Sequence, residues 1–381
     1  MNGRDRVLAA LSPEGTPEIP VVIPYEGILI RDHWGELSRD PWWVREDPDV
    51  EVQVAWRRQV AEALGQDWFT LPAARPTALR RRLRLERVPD RVALVDAVTG
   101  ETTRLDAPQV AGWTAVGGVE SVHPTHPPST VEEVEAAIQP PAPWDAARYR
   151  TEGRADLADR LLATCGADLF PIRHVPAPLW LCYGRWGYEG LMAAVATAPD
   201  LLHAACRRYL DLALRSVQEA AALGAAGVFI EDCMTDGVGP AAFRASNVTY
   251  LRELTAAIRA AGLASIHYFC GNPAGKWEAL LDTGADALSL EESKKGFRID
   301  IAEVAERVDG RVALLGNLDA IHFLPQASSA DLEAEIARQV AAGHRNGSRF
   351  VMSLGSPVTP GTTLECVREY CRLAHRLGAA R

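Results

Sequence analysis

Residues 265–272, Ser-Ile-His-Tyr-Phe-Cys-Gly-Asn, close a short apolar run with a histidine, a cysteine and a glycine. A thiol titrates near ~8.5 and is mostly protonated at neutral pH. Zinc deprotonates it and presents a nucleophilic thiolate, provided one coordination position stays open. His267 and Cys270 are the first candidate pair of such a site, Cys233 or Glu231 supplies a third donor, and Glu291 or Glu292 a fourth. Thiolate with imidazole favours zinc over magnesium. On an ideal strand residues three apart face opposite sides, so His267 and Cys270 converge only if the strand ends or bulges between them, and Gly271 permits such a turn. The bland alternative makes His267 a hydrogen-bonded core histidine and both cysteines small buried hydrophobes.

Further groups able to do chemistry end neighbouring apolar runs. Glu231, Asp232, Glu292 and Asp319 are candidate catalytic acids or bases. Successive strand residues point opposite ways, so at most one of Glu231-Asp232 and at most one of Glu291-Glu292 enters a site. Helix caps and loop salt bridges are the alternative for these pairs, and Asp319 either closes a turn or donates to substrate. Tyr25, Glu26 and His33 sit where a first strand opens, and Arg173 and His174 at the end of another. With Asn317 and Ser353 at later run ends, Tyr25, Glu26, His33 and His174 form the set of candidate substrate contacts. Lys294 and Lys295 read as a solvated loop, and His375 as a surface residue.

The elements that must position these groups alternate. Apolar runs at 227–233, 265–270, 285–292, 312–319 and 349–356 are mostly separated by helical patterns. Buried strands alternating with helices, with polar groups at the strands' C-terminal ends, are what a parallel (β/α) barrel requires. Upstream, the pattern predicts a helix at 3–11, a strand at 19–25, a helix at 48–64 stopped by Gly65, and a strand at 67–70. Residues 78–106 alternate as a β-meander around Thr99-Gly100. The proline-rich stretch 123–143 surrounds a helix opened by Ser129-Thr-Val-Glu-Glu, a capping-box pattern. Further helices are expected at 155–165, 187–198, 199–223, 245–261, 273–283, 300–308, 329–343 and 363–377, with a strand at 169–175. The fold class is therefore α/β: a single (β/α)8 TIM barrel over 1–381 with a β-hairpin or meander inserted at about 78–145.

The chain has 381 residues, 48% hydrophobic and 24% charged, with net charge -10. That balance argues against a nucleic-acid partner, and the run Arg80 to Arg87 alternates charge with leucine as an exposed strand would. No segment approaches the ~18 apolar residues of a membrane span, and the N-terminus lacks a signal peptide's apolar core. Seven scattered cysteines are not a disulfide framework and fit a reducing, cytoplasmic setting. A small-molecule substrate is expected, and a homodimer is an open possibility.

Several stretches together resemble the uroporphyrinogen decarboxylase superfamily. They are Arg-Asp-Arg-Val-Leu-Ala-Ala-Leu (4–11), Gly-Ala-Ala-Gly-Val-Phe-Ile-Glu-Asp (224–232), Cys-Gly-Asn (270–272), Gly-Ala-Asp-Ala-Leu-Ser-Leu-Glu-Glu (284–292), Leu-Gly-Asn-Leu-Asp (315–319) and Gly-Ser-Pro-Val-Thr-Pro-Gly-Thr (355–362). The resemblance implies a (β/α)8 barrel enzyme, either a decarboxylase or one of the zinc-dependent thiol methyltransferases that take methyl groups from corrinoid proteins. Two departures shape the choice. Residues 24–33 carry one arginine and Glu26 where a tetrapyrrole with many carboxylates would call for several arginines. His267 and Cys270 are spaced His-x-x-Cys where the methyltransferases have His-x-Cys, and 353–356 offers no second cysteine. The expectation is a methyl- or alkyl-transferase with a zinc-activated thiol and a methylcobalamin-bearing partner protein. The alternative is a metal-free carboxy-lyase acting on a small carboxylated substrate.

Overall fold

The computed structural model describes residues 1–88, 91–110, 122–293 and 296–379. Eleven strands are numbered in chain order. β1 (Val21–Val22), β2 (Trp68–Thr70), β6 (Phe170–Pro176), β7 (Gly227–Asp232), β8 (Ala264–Phe269), β9 (Ala287–Leu290), β10 (Ala313–Leu315) and β11 (Phe350–Ser353) form one sheet. Its eight strands run in the order β1-β11-β10-β9-β8-β7-β6-β2, and every pair is parallel. This is the expected (β/α)8 barrel. β3 (Leu83–Val88), β4 (Arg91–Asp96) and β5 (Thr102–Leu105) pair antiparallel as a separate three-stranded meander.

Strand alternation divides the core into two layers. Val22, Trp68, Phe170, Ile172, Phe229, Ile266, Tyr268, Ala287, Ala313, Leu315 and Val351 fill the barrel interior, and Val7, Ala10 and Leu11 of the leading helix Gly3–Leu11 pack with them. Val21, Ile230, Phe269, Leu288, Leu290, Leu314 and Met352 face outward into the larger layer beneath the helices. β1 and β2 meet without a ladder among the described residues, and the seam is made by one backbone bond, from Asp67 N to the Val21 carbonyl at 2.8 Å, together with side chains. Val21 N donates to Asp67 Oδ2 at 2.7 Å, Ile23 N to Gln66 Oε1 at 2.8 Å, and Trp68 Nε1 to the Ile23 carbonyl at 3.1 Å. His375 Nε2 lies 3.0 Å from the same Asp67 oxygen, so this histidine ties the last helix to the seam and does more than sit on the surface.

Most predicted elements are present, and the differences have local causes. The helix Val50–Leu64 is capped by Asp49 and stopped by Gly65 at φ 68°, as a left-handed glycine C-cap should do. At Val131–Ala137 the cap is Thr130, while Glu133 reaches back to the Ser129 amide at 2.7 Å. The helix expected at 187–198 begins earlier, at Pro178, and breaks at Gly187 (φ 66°), where an added Cβ would strike the Val122 carbonyl. Two short helices missed in the sequence, Glu26–Asp32 and Trp34–Leu37, follow β1 directly. Among the described residues no helix is long and apolar enough to cross a membrane.

Candidate active site

At the C-terminal mouth the interior face continues past the strands. Glu231 follows Phe229 by two residues on β7, and Cys233 follows by two more. Cys270 stands two beyond Tyr268 on β8. Cys233, Cys270 and Tyr25 all pack against the interior core. Cys270 Sγ donates to Glu291 Oε1 at 3.0 Å, and Cys233 Sγ lies 3.9 Å from the Tyr25 hydroxyl. The hydrogen-bonded Cys233 thiol, then burial, push the Cys270 thiol well above its ordinary range. Burial, then the Cys233 and Glu231 side chains, raise the Tyr25 phenol, and burial with Cys270 and Glu291 raises Tyr268. Every one of these shifts opposes negative charge, so the cluster favours a positive guest.

Tyr25 is held at φ 57°, ψ 38° as the N-cap of the Glu26–Asp32 helix. This left-handed conformation is uncommon for a bulky residue and marks a site worth attention. Its ring meets His174 at 5.6 Å, Phe229 at 5.8 Å and Tyr268 at 5.6 Å between centroids. His174 Nδ1 in turn lies 2.9 Å from Glu231 Oε1. Beside Tyr25, His174 and Glu231 opens a cavity of about 410 Å³, which runs along the seam between β1 and β2 toward Trp56, Val60 and Leu161. Glu26 lines it, but its carboxylate already accepts from Gln66 Nε2 at 2.6 Å and from the Thr70 amide at 2.7 Å. Glu26 thus braces the seam as well as facing the cavity.

Several expectations need correction. His267 does not converge with Cys270. β8 continues to Phe269, so the two residues occupy opposite faces, and His267 lies fully buried under the helices. Its Nε2 is 3.1 Å from Asp232 Oδ2, and Asp232 also accepts from Asn247 Nδ2 at 2.7 Å and Thr235 Oγ1 at 3.1 Å. The core-histidine alternative therefore describes it, and Asp232 is turned away from the mouth with it. Asp319 closes a turn, accepting from the Ile321 and His322 amides at 2.8 Å. Asn317 Nδ2 clamps the Glu291 and Ile299 carbonyls, Ser353 Oγ donates to the Leu354 carbonyl, and Glu292 accepts from Ser356 Oγ. His33 sits at a helix junction with Nδ1 2.9 Å from Glu36 Oε1, away from the cavity lining. Lys294 and Lys295 lie outside the described residues.

The mouth therefore gathers Tyr25, His174, Glu231, Cys233, Cys270 and Glu291 from the expected set and adds Tyr268. Among the described residues no three His, Cys, Asp or Glu side chains are arranged to hold a metal ion. The donor chemistry of Cys233, Cys270 and Glu291 nonetheless suits zinc, which takes thiolate and carboxylate ligands. Arg45 and Arg57 also line the cavity and gave no signal in the sequence, because only the tertiary fold brings them to one cavity with Tyr25 and Glu26.

Comparison with known proteins follows this geometry. The URO-D (uroporphyrinogen decarboxylase) family model matches residues 118–377. A uroporphyrinogen decarboxylase of Cupriavidus pinatubonensis is 29% identical over 246 residues, 62% of this chain and 56% of that protein. One from Anaeromyxobacter sp. is 26% identical over 68% of this chain and 71% of its own length. The match spans little more than half the length of the first Cupriavidus relatives. Among solved structures, a methyltransferase from Methanosarcina mazei superposes with TM-score 0.67 at 19% identity, covering 100% of both chains. At that identity the likeness shows the fold alone.

Proposed function

The chain belongs to the uroporphyrinogen decarboxylase family, and from that premise we propose that it is a group-transfer enzyme moving a methyl or alkyl group onto a thiol. The observation that carries this reading is the Cys233–Cys270 pair at adjacent strand ends, with Cys270 donating to Glu291. Zinc would be held by Cys233, Cys270 and a Glu291 oxygen, and when bound it would supply a Lewis acid that keeps a thiol deprotonated at neutral pH. Glu291 is placed to take the Cys270 proton. Tyr25 and Tyr268 wall the cluster, and the His174–Glu231 pair stands ready to accept or return a proton at the substrate. In the transfer a thiolate sulfur bonds the alkyl carbon while the bond to the donor breaks, and the donor leaves with the electron pair. A methyl-corrinoid protein is the proposed donor.

Elemental analysis of the purified protein tests this. Stoichiometric zinc should be present, should fall in Cys270→Ala and Cys233→Ala together with turnover, and should persist in Cys366→Ala on the last helix. Metal-free protein with full activity in chelator would overturn the reading. It would promote the second one, a metal-free carboxy-lyase, which the His174–Glu231 pair at 2.9 Å favours as a proton-transfer unit.

A further inference from the structure

The cavity beside Tyr25 carries more information than its position. Its lining combines Tyr25, His174 and Glu231 of the barrel mouth with the apolar Trp56, Val60, Phe69 and Leu161 and with Arg45 and Arg57. Neither arginine forms a salt bridge with a described residue. The carboxylates nearest in charge are already engaged: Glu46 by Arg75 at 3.0 Å, and Glu26 by Gln66 and Thr70. Arg45 Nη1 is buried with no hydrogen-bond partner among the described residues. The Arg57 guanidinium lies 3.9 Å over the Trp56 ring and that of Arg45 5.7 Å from the Trp34 ring, so both are oriented by aromatic faces. Burial pushes the Arg57 pKa down to about 10, which still leaves it cationic at neutral pH, and burial lowers Arg45 as well. Arg57 Nη1 donates to the Gln53 carbonyl at 3.1 Å and to Gln53 Oε1 at 2.5 Å, both neutral acceptors. Two adjacent half-buried cations therefore stand without a paired anion, an arrangement that is costly in an unliganded protein.

We propose that this cavity binds the substrate as a small monocarboxylate with an apolar body. The carboxylate sits on Arg45 and Arg57, the body lies along Trp56 and Phe69, and the opposite end reaches Tyr25, His174 and Glu231. A volume of about 410 Å³ is near the lower end for small-molecule sites. Two guanidiniums match one carboxylate, not the many of a tetrapyrrole. The proposal rests on the reading above only in taking the barrel mouth as the reaction site. It fits alkyl transfer at the mouth, whereas decarboxylation there would require a second carboxylate at the opposite end of the substrate.

Titration calorimetry with benzoate and cyclohexanecarboxylate, against benzamide and inorganic phosphate, tests it. At least one carboxylate should bind saturably, while benzamide and phosphate should not. Charged hydrogen bonds of this kind predict roughly tenfold to a hundredfold weaker binding in Arg45→Gln and in Arg57→Gln. Because Arg57 packs on Trp56, thermal unfolding of each variant and the charge-retaining Arg57→Lys keep a folding defect distinguishable from a lost contact. Arg57→Lys should recover part of the affinity. Binding should survive in Cys270→Ala and in chelator, so failure of the zinc reading would leave this result standing. Absence of saturable carboxylate binding, equal binding of benzamide, or unchanged affinity in both glutamine variants would overturn the proposal.

Discussion

The two faces of β7 and β8 carry similar residue types and reach opposite ends. On the outer face, Asp232, His267, Asn247 and Thr235 close a buried network in which one carboxylate accepts three hydrogen bonds. On the inner face, Glu231 and Cys233 on either side of Asp232, and Cys270 three residues beyond His267, open into the mouth with thiols and phenols held neutral. The outer set spends its carboxylate within the protein, leaving only His267 Nδ1 and Asn247 Oδ1 of that network without a partner among the described residues, and the inner set is built to meet its needs with a guest. Placement by strand parity, more than residue type, separates structure from chemistry here.

The sharpest way to break this comparison is to attack the outer network. Asp232→Ala should destabilise by about 3–5 kcal/mol, because it strands buried donors from a strand, a loop and a helix. Denaturant unfolding measures that loss. A cost below about 1 kcal/mol would mean the network is not the closed unit its geometry describes. His267→Asn comes next, with an expected loss of about 1–3 kcal/mol for one partner of a shared carboxylate. Its bound-metal content should match the wild-type value. Loss of metal in His267→Asn with stability intact would move the histidine back to the site and erase the distinction between the faces.

How much of this was legible in the sequence varies along the chain. From residue 155 onward, strands of three to seven residues mostly separated by helices made the barrel nearly complete in the sequence, because ladder-paired strands leave a strong local pattern. β1 and β2 reduce to two and three residues, since Asp67 and Gln66 side chains do at the seam what a ladder does elsewhere. Gly271, at φ 134° with no room for a Cβ beside Asp236, does turn the chain as expected. It turns one residue after Cys270, however, too late to bring His267 round. Sequence order could pair Cys233 with Cys270, yet it could not show that Asp319 and Asn317 spend their polar groups on local turns and carbonyls. Arg45 and Arg57 lie on a short 3-10 turn and a helix with ordinary amphipathic spacing, and only tertiary packing turns them into cavity walls.

The smallest expected change in stability falls on the inner face, and it sharpens the contrast most. Cys270→Ala removes a half-buried sulfur and one hydrogen bond to Glu291, so unfolding at neutral pH should shift by no more than about 1 kcal/mol. Its signature lies instead in pH. The neighbouring Cys233 thiol and burial hold the Cys270 pKa well above its unfolded value in metal-free protein. The folded state therefore keeps a proton that the unfolded chain releases near ~8.5. Stability from this group is complete below that pH and declines as pH rises beyond it. Wild-type metal-free protein should lose stability between neutral and strongly alkaline pH more steeply than Cys270→Ala, and iodoacetamide should alkylate Cys270 at neutral pH more slowly than free cysteine. Fast alkylation at neutral pH, or identical alkaline unfolding profiles, would show the thiol already ionised without metal. The inner face would then need no positive guest, and the two faces of these strands would differ in exposure alone.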